Sequence, residues 1–243
     1  MKHRFSKIGL LLALAVYAQG TVYAQEPVDG TFCERITNHE EAVHADFDVA
    51  IASRATLEKQ QDEELAISRQ KQDEEFANAR LDTDTQFSSH IAALRQKANK
   101  KDTKLAAVEA FESAIIESRR VFRSAAVDII DTFRESVRML IKIRREAFTK
   151  AETTRRAGFD GAMVAAKKSC TEGNVSEEVQ NTLKTELRNV RESFRAELKQ
   201  IETAARTSHH GAIETRKNAL TEARDARKNA VENAVEELRA AWK

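Results

Sequence analysis

An all-α fold, an elongated antiparallel three-helix bundle or coiled coil, is predicted by three features of the chain. Apolar residues recur every 11 positions, helix breakers are nearly absent after Pro27, and turn residues gather only near 99–103 and 171–176. Eleven residues make three helical turns at about 3.67 residues per turn, close to the natural 3.6, so an apolar stripe with this period runs almost straight along a helix. The repeat is plainest in Gln61-Asp-Glu-Glu-Leu-Ala and its successor Gln72-Asp-Glu-Glu-Phe-Ala, and continues loosely through residues 83–93. It returns at residues 216–226 and 227–237, both of which open Arg-Lys-Asn-Ala.

Composition points the same way. One Pro and seven Gly in 243 residues, with 33% charged and 6% aromatic, leave too few turn formers for a sheet protein, whereas long helices need none. A formal net charge of +1 gives no overall bias toward nucleic acid or acidic substrates.

The chain opens with the basic stretch Met1-Lys-His-Arg-Phe-Ser-Lys7 and the short apolar run 8–18, followed by Val22-Tyr-Ala24. That order matches a secretory signal peptide, 1–24, with cleavage expected near Ala24; the apolar run is too short to span a bilayer comfortably. Cys33 lies well beyond the apolar run, which argues against a lipid-anchored mature end. Residues 25–32, with Pro27 and Gly30, read as an extended leader, and 33–243 as a single elongated helical domain.

Helix 1 is expected over about 33–98. Its stripe passes through Phe32, Val43, Leu65, Phe76 and Phe87, with Phe47, Ile91 and Leu94 beside it. Arg54 interrupts the stripe, and is expected to lay its aliphatic stem on the helix with its charge in water. Asn99 suits the end of this helix, and Asp102 or Thr103 the N-cap of the next.

Helix 2, about 104–169, is the most apolar of the three and is expected to be central. Phe111, Phe122 and Phe133 stand 11 apart, as do Ile115, Ala126, Val137, Phe148, Phe159 and Cys170. Gly173 can end it, and Asn174 or Ser176 can cap helix 3, about 177–242. Helix 3 carries one row through Leu183, Phe194, Ala205 and Leu238, a second through Leu187, Leu198, Leu220, Val231 and Trp242, and a third through Val179, Val190, Ile201, Ala212, Ala223 and Ala234. The third row thins to alanine, so the C-terminal half is expected to be the yielding end. About 65 residues per helix give three rods of roughly 100 Å each at 1.5 Å per residue.

Cys33 and Cys170 are the only cysteines and, with an export signal, read as a disulfide. If that bond joins neighbouring antiparallel helices, the register it sets places the turn between Lys101 and Asp102, where the composition also puts it. The same register sets the acids Glu58, Asp62, Glu63, Glu64, Asp73, Glu74, Glu75, Asp82 and Asp84 against Arg145, Arg144, Lys142, Arg138, Arg134, Arg123, Arg120 and Arg119. The alternative is one unbroken helix from Cys33 to Lys168 pairing with a second chain through two intermolecular disulfides.

No residue pattern points to chemistry. His39, His44, His90, His209 and His210 fall at different heights, and adjacent histidines on a helix point about 100° apart, so no metal site is expected. Gly158-Phe-Asp-Gly161 follows no strand and precedes no Lys-Ser or Lys-Thr, which excludes a phosphate loop and suggests a close helix crossing or a local kink. Carboxylates lie in solvent-facing runs, without a pocket to shift their pKa, and no serine sits in a sharp glycine turn. The basic run 134–156 lacks interleaved exposed aromatics, which disfavours nucleic acid. The expectation is therefore no enzyme, no catalytic residue, no cofactor and no metal. The leading reading is an exported helical rod serving as structural spacer, scaffold or adaptor, with other envelope or secreted proteins, or a second copy, as partners. A holdase-type exported chaperone is the second reading. A lipid-surface protein is the third, disfavoured because the alanine rows are too weakly apolar.

Overall fold

A computed structural model of the chain describes residues 32–98, 101–174 and 176–243. The expected signal peptide, most of the leader and Asn99 lie outside the described residues. Within them the chain forms three helices and no strand: α1, Phe32–Lys97; α2, Asp102–Thr171; and α3, Ser176–Trp242. Their lengths of 66, 70 and 67 residues correspond to about 100 Å each. Successive helices run antiparallel, and α1 and α2 are separate helices joined side by side, not one continuous rod.

The end of α2 follows from Gly173. Its φ of +79° is a left-handed conformation that only glycine adopts without strain. The amide of Gly173 donates to the Cys170 carbonyl and that of Asn174 to the Ser169 carbonyl, each at 3.2 Å, the paired bonds of a Schellman termination. The start of α2 differs from expectation. Lys101, in extended conformation and with no side-chain capping bond, is the N-cap, and Asp102 is already helical. The Lys101 carbonyl accepts the first bonds, from the Lys104 and Leu105 amides at 3.0 Å. Asp102 instead sets a negative charge in the first turn, where it complements the helix dipole.

α2 is the central helix. It lies close against α3 along its length, while α1 approaches α2 more sparsely and α3 hardly at all. Part of the reason is side-chain size. Ala126, Ala151, Ala162 and Ala166 are buried on α2, and a Cβ added at Gly158 would stand 2.9 Å from Val190 Cγ2 on α3. Gly158 therefore marks a close helix crossing; Gly161 has open space at the same test. The best-filled core lies at the cysteine end, where Ile36, Phe159, Met163, Val179 and Leu183 are buried together, with Val43, Phe47 and Leu187 against them.

The middle of α1 is different. Every residue from 71 to 79 is exposed, including Phe76 at 45%, although Phe76 lies on the apolar stripe. Ile91 and Ala98 are buried again at the turn end. So α1 is seated at both ends and bridged by long polar side chains between them.

Candidate functional site

The features that set this rod apart are the disulfide, an ion-pair ladder, and arginines stacked on phenylalanines inside the bundle.

Cys33 and Cys170 are bonded, with Cα atoms 5.8 Å apart and 137 residues between them in sequence. The first turn of α1 and the last turn of α2 supply the two cysteines, so the bond staples the open end of the hairpin. Such a cross-link belongs to an oxidising compartment. No helix among the described residues is long and apolar enough to cross a membrane.

The ladder follows the register that the disulfide imposes. From the cysteine end, Lys167 pairs with Glu40, Arg156 with Asp48 at 3.0 Å, and Arg54 with Glu152. Arg145 bonds both oxygens of Asp62 at 2.9 Å, Arg134 meets Asp73 at 2.6 Å, and Arg95 meets Glu112 at 2.5 Å. Each partner lies within about one helical turn of the position opposite it. Hydrogen bonding to Asp62, with the charges of Asp62 and Glu58, raises the Arg145 pKa against the opposing effect of burial.

Not every predicted partner crosses the seam. Arg120 and Arg138 turn to Glu117 and Glu135 of their own helix, Lys142 lies 3.8 Å from Glu146, and Lys59 lies 4.0 Å from Glu63. Arg144 points to the other neighbour, bonding Glu202 of α3. Arg54 is not a stem with its charge in water: it is held by Glu152, Glu58 and Thr149, with its side chain 20% exposed. An acid on the facing helix at the right height draws the guanidinium inward.

The interior seam contains cations that apolar-row counting passes over. Arg155 lies between two rings, 4.8 Å from Phe47 and 4.9 Å from Phe194. Arg216 covers Phe133 at 4.2 Å, and Arg227 covers Phe122 at 5.3 Å. Phe194, Ala205, Arg216 and Arg227 occupy one α3 row at 11-residue steps, and Phe122 and Phe133 stand 11 apart on α2, so the stacks repeat with the period of the chain. Arg119 covers Phe87 of α1 at 4.2 Å, Arg144 covers Phe148 at 5.0 Å, and Lys104 covers Trp242 at 5.1 Å. Guanidinium over an aromatic face is worth about 0.5–2 kcal/mol, depending on desolvation. The interleaving of Arg with Phe at the same spacing was the available sequence signal.

Among the described residues no three His, Cys, Asp or Glu side chains are grouped as metal ligands. The histidines lie in separate environments. His44 Nε2 lies 3.1 Å from Asp160 Oδ1, with its ring edge-on to Phe47 and Phe159 at 6.3 and 5.7 Å. His39 and His209 are half-buried, and His90 and His210 are exposed. A cleft beside the α2–α3 turn is floored by Ala165, Ala166, Val179 and Leu183 and rimmed by Glu178 and Glu186. Ser169, Asn174 and Thr182 complete its lining.

No protein-family model, curated protein or solved structure matches the chain.

Proposed function

We propose that the protein is an exported, non-enzymatic rod, serving as a spacer, scaffold or adaptor at the cell envelope. Its shape carries the reading: three antiparallel helices of 66, 70 and 67 residues give a body about 100 Å long and only three helices thick. The staple at Cys33–Cys170 and the charge-specified register favour a fixed length. Its contacts are with other envelope or secreted proteins along the exposed helix faces. Export rests on the basic and apolar layout of residues 1–24 and on the disulfide.

Two measurements test it. Small-angle scattering of the oxidised protein is expected to give a maximum dimension of about 100 Å, the length that 1.5 Å per residue gives these helices; a compact globule sinks the reading. Residues 1–31 fused to a reporter that lacks its own leader are expected to carry it out of the cytoplasm, and retention there contradicts export.

A second reading, a holdase-type chaperone, is favoured by the apolar side chains that α1 turns to solvent. Ile67 is 69% exposed and Leu81 65% exposed. If the protein at stoichiometric amounts fails to slow aggregation of a denatured client, that reading falls.

A further inference from the structure

Charge is unevenly balanced at one level of the bundle. Arg119 and Arg123 of α2 both bind Asp84 of α1: Arg119 Nη1 reaches Oδ1 at 3.1 Å, while Arg123 Nη2 and Nη1 reach Oδ1 and Oδ2 at 2.6 and 2.9 Å. From α3, Arg227 lies over Phe122. Among the described residues no carboxylate forms an ion pair with Arg227. The Arg119 pKa is lowered, first by burial and then by the charges of Arg227 and Arg123, against the pull of Asp84. Two guanidiniums thus share one carboxylate, and the Arg227 guanidinium lies over Phe122, the ring that stands between them in sequence. Arg119 Nε is also buried without a hydrogen-bond partner, in a side chain only 14% exposed. A buried donor without an acceptor is costly, and an incoming oxygen would satisfy it.

We propose that Arg119, Arg123 and Arg227 form a binding site for a phosphate-type oxyanion, with Asp84 as its internal competitor. The planar guanidinium fork matches phosphate oxygens two at a time, and a dianion supplies the charge the cluster lacks. α1 and α3 approach each other at few points, and the Asp84 side chain is 44% exposed. One repeat along the same α3 row, Arg216 offers a second position. Its Nε is buried and unpartnered, and burial lowers its pKa. The two lie about 16 Å apart along the helix at 1.5 Å per residue. The phosphate can come from the free ion or from a chain of linked phosphates, which alone could reach both arginines.

Isothermal titration of the full disulfide-bonded chain with inorganic phosphate, and separately with linear polyphosphate, at constant ionic strength set with chloride, tests the site. Saturable phosphate binding is expected, at least about tenfold weaker in Arg227→Gln, the loss of one charge-assisted contact. It should be stronger in Asp84→Asn and unchanged in Lys199→Gln, a surface control. If Arg227→Gln loses its helical circular dichroism, Arg227→Lys, which keeps the charge and removes the fork, is expected to weaken binding less but measurably. Tighter polyphosphate binding that falls in Arg216→Gln identifies the linked chain as the preferred source; equal dependence on Arg227 alone identifies the free ion. Heats no greater than those of chloride, or binding indifferent to both Arg227 substitutions, overturn the proposal.

Discussion

Arg144 on α2 and Glu202 on α3 form a charge pair within the closest helix–helix contact of the molecule, Nη2 to Oε1 at 2.5 Å, with side chains 16% and 11% exposed. Glu202 Oε2 is buried and finds no hydrogen-bond partner. A pair with one oxygen unsatisfied is costly to break and of little net benefit to keep. Glu202→Ala should therefore destabilise by about 3–5 kcal/mol, whereas the double replacement Arg144→Met with Glu202→Leu should be close to neutral or stabilising. Urea midpoints of the two variants check this; equal losses would mean that the pair stabilises the fold outright.

The disulfide closes a loop with 137 residues between its ends. On chain-entropy grounds its loss should remove about 3–5 kcal/mol. Cys33→Ser, Cys170→Ser and the reduced wild type should unfold at the same lower urea concentration. A non-reducing gel of the wild type should run as a monomer, and a linked dimer would instead support the two-chain rod.

At Gly158 the helix gains from any side chain, since Gly costs about 1 kcal/mol against Ala in a helix interior. A methyl there, however, meets Val190 Cγ2 at 2.9 Å in the closest helix contact. Overpacking of this kind costs about 1–3 kcal/mol, so Gly158→Ala should be destabilising. Adding Val190→Ala should recover part of the loss. Gly161→Ala, in open space, should stabilise by about 0.5–1 kcal/mol. Thermal midpoints of the three variants decide it.

Acid should loosen α1. The Asp84 carboxyl is held below its ordinary 3.8, first by hydrogen bonding from Arg123, with the charges of Arg123 and Arg119 adding to it, against the opposing effect of burial. Because the folded pKa is the lower one, its contribution is complete above 3.8 and is lost as pH falls through the folded value. Asp84→Asn should therefore flatten the stability profile below about pH 4 and leave its shape near neutrality unchanged. Hydrogen exchange across residues 59–79, where side-chain cover is thinnest, should quicken under the same acid conditions before exchange in α2 does.

Much of the fold was legible because it depends on spacing. Cys33 and Cys170 fixed a register, and the partners of Glu58, Asp62, Asp73 and Asp84 lie close to it. The central place of α2 followed from its apolar rows. What escaped was how cations use those rows. Counting Leu183, Phe194, Ala205 and Leu238 steps over Arg216 and Arg227, because hydropathy alone cannot show that a guanidinium has a ring beneath it. The same blindness put Arg54 in water. Phe76 erred in the opposite sense: it belongs to the stripe, yet it is 45% exposed, so membership of a row did not ensure burial. Lys101 holds the cap position expected of Asp102, and Asp102 sets its charge inside the first turn.

The 11-residue period has a consequence for how this molecule can change size. Removing or duplicating one unit in a single helix would slide its cations off the facing rings and its acids off the facing arginines. The same change made in all three helices at matching heights would leave each stack and each rung in place, and would alter the length by about 16 Å at 1.5 Å per residue. Length in this architecture is therefore quantised. Descendants of such a sequence are expected to differ by whole matched units rather than by scattered single-residue insertions, like a ladder that can be extended only a rung at a time.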